Sequence, residues 1–155
     1  MRRKHQGFSL IELLIVVAII LIIAAIAIPN LIRSKMSANE ASAVASIRSI
    51  NTACVSYSTT YGLGYPTNLS NLGPVPAGAN ATSDSADLID SVLAAGSKSG
   101  YSFTYAQGNS GATYSLTAQP TVPNTTGTRY FYTDQTGVIR QNVGAPADPS
   151  SSPLD

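Results

Sequence analysis

One run of 21 residues, Phe8 to Ile28, constrains this chain more than any other feature of it. Every residue in the run is apolar except Ser9 and Glu12. As a helix it would be about 31 Å long at 1.5 Å per residue, enough to cross the hydrocarbon core of a bilayer. A carboxylate near the entry of such a segment is costly, at about 2.5–3.5 kcal/mol on insertion scales and more in simulations. Glu12 therefore needs a compensating partner, and the identity of that partner is the central functional question.

Three ordinary explanations of the run are open. Arg2, Arg3 and Lys4 precede it, so the positive-inside rule keeps the N-terminus cytoplasmic and exports the body. A secretory signal peptide is one explanation, because Ala25-Ile26-Ala27 is an A-x-A-like site. The apolar region is longer than the usual 7–15 residues, however, and Pro29 would lie just after the cleaved bond. A plain single-pass anchor explains the length but leaves Glu12 unpaired. A buried helix of a soluble protein fits poorly with so uninterrupted an apolar sequence.

A fourth explanation accounts for Glu12. The stretch Gly7-Phe8-Ser9-Leu10-Ile11-Glu12-Leu13 resembles the processing site of type IV pilins and of the pseudopilins of type II secretion systems. That family has a short basic leader ending in Gly, then Phe, then an apolar helix with Glu as its fifth residue. Pro29-Asn30 matches its pattern at the end of the apolar stretch. The resemblance is specific over residues 1–31, and beyond them it is one of layout. It implies that a prepilin peptidase cuts after Gly7 and methylates the new amine of Phe8. It also implies a single-pass subunit held in inner-membrane lipid, with its N-terminus cytoplasmic. An assembly platform with a motor ATPase would then draw it into a filament with further copies and other pilins, reaching the periplasm or the exterior. Either a type IV pilus (adhesion, motility or DNA uptake) or a secretion pseudopilin satisfies the resemblance. A membrane-anchored binding domain that never polymerises is the alternative from a different class.

The physical logic of those steps is self-consistent. Cutting after Gly7 removes Arg2, Arg3 and Lys4 and leaves six Lys/Arg against eight Asp/Glu. It also creates an ammonium on Phe8. Glu12 lies four residues on, hence on the same helical face, and can meet its own amine or that of a neighbouring subunit. Pairing with a neighbour is satisfied only in one axial register, which is the best-attested use of a buried polar group. Gly7 leaves the scissile carbonyl without a flanking side chain. Pro29 deprives the Ala25 carbonyl of its helical donor, which predicts a kink there, or local melting in a packed filament.

After Pro29 the pattern becomes amphipathic. Val44, Ile47, Ile50, Cys54, Tyr57 and Tyr61 follow spacings of three and four, one face of a helix. The helix is expected to cover about 8–61, ended by Gly62 and Gly64. Tyr65 to Ala81 reads as a loop punctuated by Pro and Gly, with Leu69 and Leu72 tacking it to the core. Ser85 to Ala95 reads as a short helix, capped by Ser83 or Asp84, with Asp87 in its first turn, Leu88, Val92 and Leu93 inward and Gly96 at its end. Four strands follow. Tyr101/Phe103/Tyr105 and Tyr114/Leu116/Ala118 alternate with polar residues, and 129–133 and 138–142 flank the turn sequence Asp134-Gln135-Thr136-Gly137. The expected fold is α+β, a long helix packed on an antiparallel sheet, as in pilins. The expected divisions are a leader at 1–7, an apolar helix half at 8–28, an amphipathic half at 29–61, a head at 62–143 and a flexible tail at 144–155.

The remaining signals point away from catalysis. His5, the only histidine, sits in the leader, and Cys54 is the only cysteine. A Ser-His-Asp or Cys-His set in the body, an intrachain disulfide and a thiolate zinc site are therefore excluded. No catalytic residue, cofactor or metal is expected. Asp84, Asp87 and Asp90 match no EF-hand spacing, and Asp134 reads as a turn former. The triplets beginning at Asn68, Asn80 and Asn124 are unremarkable in a chain this rich in Asn, Ser and Thr. The eight tyrosines read as packing residues. No basic stripe suggests a nucleic-acid site.

Overall fold

A computed structural model describes residues Phe8–Leu154. The chain divides into two compact units, Met1–Lys35 and Met36–Asp155. The first consists, where described, of the N-terminal part of α1 (Leu10–Tyr61). In the second, the remainder of α1 is followed by a 3₁₀ turn (Leu69–Leu72), α2 (Ser91–Ala94), β1 (Ser97–Lys98), β2 (Tyr101–Gly108), β3 (Thr113–Pro120), β4 (Arg129–Asp134), β5 (Arg140–Val143) and β6 (Ser152–Pro153). The six strands form one antiparallel meander in the order β1-β2-β3-β4-β5-β6. This is the α+β arrangement expected from the periodicities.

The expected helix face is the core face. Val44, Ile47, Ile50, Cys54 and Tyr57 are all buried, and Tyr61 packs at the margin of the same cluster. They meet the inward residues of the sheet. β2 pairs with β3 in a register that sets Phe103 against Ala118 and Tyr105 against Leu116. β3 pairs with β4, setting Ala118 against Phe131. Tyr101, Phe103, Leu116, Ala118 and Phe131 are buried, while their strand neighbours are less so. Each large side chain removed from water here contributes about 1.5–3 kcal/mol before conformational entropy is charged against it.

Polar ties fix how the helix meets the sheet. Glu40 is buried, and its carboxylate accepts four hydrogen bonds. Thr128 N, Thr128 Oγ1 and Arg129 N donate to Oε1 at 2.8, 3.1 and 3.2 Å, and Arg129 Nε donates to Oε2 at 2.7 Å. Asn51 is a second tie: it accepts from Tyr114 Oη at 3.0 Å and donates to Thr133 Oγ1 at 3.1 Å. Asn39 donates to the Thr126 carbonyl at 2.9 Å.

Two expectations differ from the structure. The helix at 85–95 shrinks to Ser91–Ala94, capped by Asp90 Oδ1 on Leu93 N at 3.0 Å rather than by Ser83 or Asp84. The amides of Ala86, Asp87, Leu88 and Ile89 are taken by the carbonyls of Asn71, Gly73 and Leu72, so the segment lies extended beside the 3₁₀ turn. Asp87 sits at φ 55° instead of in a helical first turn. Ala86, Ile89 and Leu93 therefore point inward, whereas Leu88 and Val92 are exposed. The last long strand begins at Arg140 rather than Val138, because Asp134 to Gly137 closes as a turn and Ile139 is buried. The tail from Gly144 runs back along the sheet. Ser152–Pro153 pairs with β5, Leu154 N donates to the Ile139 carbonyl at 2.8 Å, and Ala147 is buried.

Gly62 and Gly64 end α1 as expected, at φ 65° and 80°. A Cβ on Gly64 would stand 2.5 Å from the Gly111 carbonyl oxygen. Gly64→Ala is expected to lower the unfolding free energy by more than about 1 kcal/mol, read from the urea midpoint. Glu40→Ala leaves the Thr128 and Arg129 amides without their partner and is expected to cost about 3 kcal/mol. Burial alone raises the Glu40 pKa, but the hydrogen bonds from Thr128 and Arg129 outweigh it and hold the group below the ordinary value. Its folded pKa thus lies below its unfolded one. The stability it contributes is complete above about pH 4.3 and is lost as pH falls through the folded value. Acid titration of the wild type and the Glu40→Ala variant should converge at low pH.

Candidate functional site

The first turn of α1 holds the residues singled out in the sequence. Phe8 and Ser9 are non-helical, and the helix begins at Leu10. Ser9 thus stands at the N-cap position and Glu12 at the third helical one. Ser9-Leu10-Ile11-Glu12 is the S-x-x-E spacing of a capping box. The structure makes the carboxylate half of that box: Ser9 N donates to Glu12 Oε2 at 2.8 Å. Leu13 N donates to the Ser9 carbonyl at 3.3 Å. The S-x-x-E spacing is legible in the sequence, and the backbone geometry of the first turn decides that the carboxylate half of the box forms.

The rest of the turn is uncovered. Phe8 is 85 % exposed, Leu10 80 % and Ile11 64 %. The apolar run stays exposed along its length, and the most hydrophobic 18-residue stretch of α1 has 0 % of its residues buried. α1 is long and apolar enough to cross a membrane. Glu12 Oε1 accepts no hydrogen bond among the described residues. Gly7, the expected cleavage position, and the rest of the leader lie outside the described residues. Pro29 sits inside α1, and the helix continues through it to Asn30 and beyond.

A groove of about 300 Å³ runs between α1 and the 88–98 segment, lined among others by Ser42, Ser46, Asp90 and Lys98. Asp90 and Lys98 pair at 2.7 Å on its rim. Asp134 Oδ1 accepts from Thr136 N and Oγ1, closing its own turn. Among the described residues no group of three or more His, Cys, Asp or Glu is placed to hold a metal. Cys54 is buried beside Tyr105, and burial pushes its thiol up to about 12, with the Tyr105 hydrogen bond acting weakly the other way. Tyr57, Tyr101, Tyr105 and Tyr114 donate to Ser83 O, Arg129 O, Pro66 O and Asn51 Oδ1, which makes them packing residues with satisfied hydroxyls. Sequence reasoning did not single out Glu40. It showed as one charge beside an apolar face, and its partner Arg129 lies 89 residues away.

Residues 2–28 match the family model described as the prokaryotic N-terminal methylation motif. The similarity to type IV pilins lies in this N-terminal segment. Two curated relatives agree with this. The type IV major pilin protein PilA of Myxococcus xanthus is 46 % identical over 54 residues, 35 % of this chain and 24 % of the relative. The type IV wide pilus major component PilA4 of Thermus thermophilus is 58 % identical over 38 residues, 24 % of this chain and 29 % of the relative. The matches thus span only about a quarter of either relative. No solved structure matches the chain.

The buried thiol carries a direct prediction. In the folded protein at pH 8, Cys54 should stay unmodified by a maleimide, because too little thiolate forms and no path reaches it. In urea it should react stoichiometrically, as read by intact mass.

Proposed function

We propose that this chain is a structural subunit of a type IV pilus or pilus-like filament. The observation that carries the proposal is the pilin-type first turn, Phe8 to Glu12, opening an apolar helix segment that is exposed among the described residues. Apolar surface on that scale needs lipid or other copies of itself. Prepilin peptidase would cut after Gly7, removing the leader 1–7, and would methylate the amine of Phe8. Residues 8–28 would rest in the inner membrane, with the N-terminus cytoplasmic, until the assembly platform and its motor ATPase extract them into a filament. In the filament they form the packed centre, while the part of α1 within the second unit stays packed on its own sheet.

Glu12 sets the register in this proposal. Its carboxylate pairs with the Phe8 ammonium of a neighbouring subunit, and only one axial offset brings the two together. A subunit one helical turn out of step leaves both charges unpaired in an apolar surround, at a cost of several kcal/mol. Pro29 supplies the point at which the helix can bend or open when neighbours pack around it, because Ala25 O has already lost its donor. No residue is assigned a catalytic role.

Two measurements test this. Intact mass and N-terminal sequencing of the protein from its native membrane should show a chain starting at Phe8 and one methyl group heavy. A start at Ile28 would mean ordinary secretion, and an uncut Met1 or Arg2 a simple anchor. Glu12→Ala subunits should be cut after Gly7 yet give at least tenfold less filament. Wild-type yield from that variant would end the register role.

A further inference from the structure

We infer that the backbone amide of Ser9 positions the Glu12 carboxylate for its neighbour, making Ser9 a positioning residue of the assembly site. This rests on the filament proposal above and adds to it the reason that the carboxylate is presented in one orientation. Ser9 N lies 2.8 Å from Glu12 Oε2. A hydrogen bond from an amide to an ionised carboxylate is charge-assisted and stronger than a neutral one. It satisfies two groups that a bilayer would otherwise leave unpaired. One is the N–H of the N-cap residue, which has no helical partner. The other is one oxygen of the acid.

The bond uses only half of the carboxylate. Two oxygens offer about four acceptor sites, and Oε1 takes no donor among the described residues. The methylated Phe8 ammonium keeps two N–H donors and needs only one such oxygen to start pairing. The subunit therefore does not wait with a bare charge, and assembly need not break the bond already made. The Ser9 amide holds Oε2 while the incoming Phe8 ammonium takes Oε1. A glutamate free to turn about its side-chain bonds would accept that ammonium over a range of axial offsets. Held by Ser9, it offers one position, and the cost of ordering it is met before the neighbour arrives.

The first test is spectroscopic and independent of processing. In the ¹⁵N-labelled full chain in detergent micelles, the Ser9 amide should exchange slowly with solvent, at least tenfold slower than in the Glu12→Ala variant. Equal exchange rates would overturn the inference. The second test reads assembly as filament yield per subunit cut after Gly7. Ser9→Pro removes the N–H at a position outside the helix and should lower that yield at least tenfold. Ser9→Ala keeps the N–H and should recover most of the loss. Ser9→Pro filaments at wild-type yield, with Glu12→Ala still blocked, would sink the positioning role and leave the register role standing. Normal filaments from Glu12→Ala would instead remove the proposal on which it rests.

Discussion

Apolar surface without a cover is the constraint on which everything else in this protein depends. α1 runs unbroken from Leu10 to Tyr61, yet its sequence changes character after Pro29. Before it every side chain of α1 except Glu12 is apolar, and none of the most hydrophobic stretch is buried among the described residues. Within the second unit, α1 keeps one apolar face, which the sheet covers with Tyr101, Phe103, Leu116 and Phe131. The first kind of surface can be satisfied only by lipid or by other molecules, whereas the second is satisfied internally. A single helix thus carries both an intermolecular requirement and an intramolecular one.

The two glutamates of α1 show the same division in polar terms. Glu40 is a finished site: four donors from Thr128 and Arg129 saturate it, and the hydrogen bonds outweigh the desolvation that burial imposes. It locks the helix to β4 and has little left to offer a partner. Glu12 is half finished. Among the described residues its one bond is to the Ser9 amide three positions back, which leaves an oxygen in hand. A carboxylate with unused acceptor capacity in an apolar setting is an unfavourable state that a correctly placed cation relieves. Completed and incomplete satisfaction of the same functional group separate the residue that holds the subunit together from the one that the proposal assigns to joining subunits.

Local pattern was legible wherever one residue's neighbours in sequence are also its neighbours in space. The helix face at Val44, Ile47, Ile50, Cys54 and Tyr57 follows from 3.6-residue periodicity. The strands through Tyr101 and Tyr114 follow from alternation. The helix stop at Gly62 follows from the freedom of glycine at positive φ. The segment 85–95 was not legible. Its polar and apolar spacing suits a helix, but its amides are claimed by the carbonyls of Asn71, Leu72 and Gly73, which are distant in sequence. The pairing of Ser152–Pro153 with β5 was not legible either, because the edge it meets is set by the meander. Local propensity is a weak term, and a long-range pairing of a few hydrogen bonds overrides it.

By itself the sequence determined the α+β class and the long apolar stretch of α1 with Glu12 near its start, because each rests on residue order along a single segment. A carboxylate among apolar residues, a glycine before a phenylalanine and a basic leader need no third dimension to be recognised. Only the tertiary structure decided which acid belongs to the core. Glu40 and Arg129 are 89 residues apart and meet because the meander brings the start of β4 onto α1. It decided as well that Glu12 already holds the Ser9 amide, since a capping box is a matter of backbone geometry at the first turn and not of composition. Sequence order specifies which groups are costly to leave unpaired, and folding settles which of them the chain can satisfy alone.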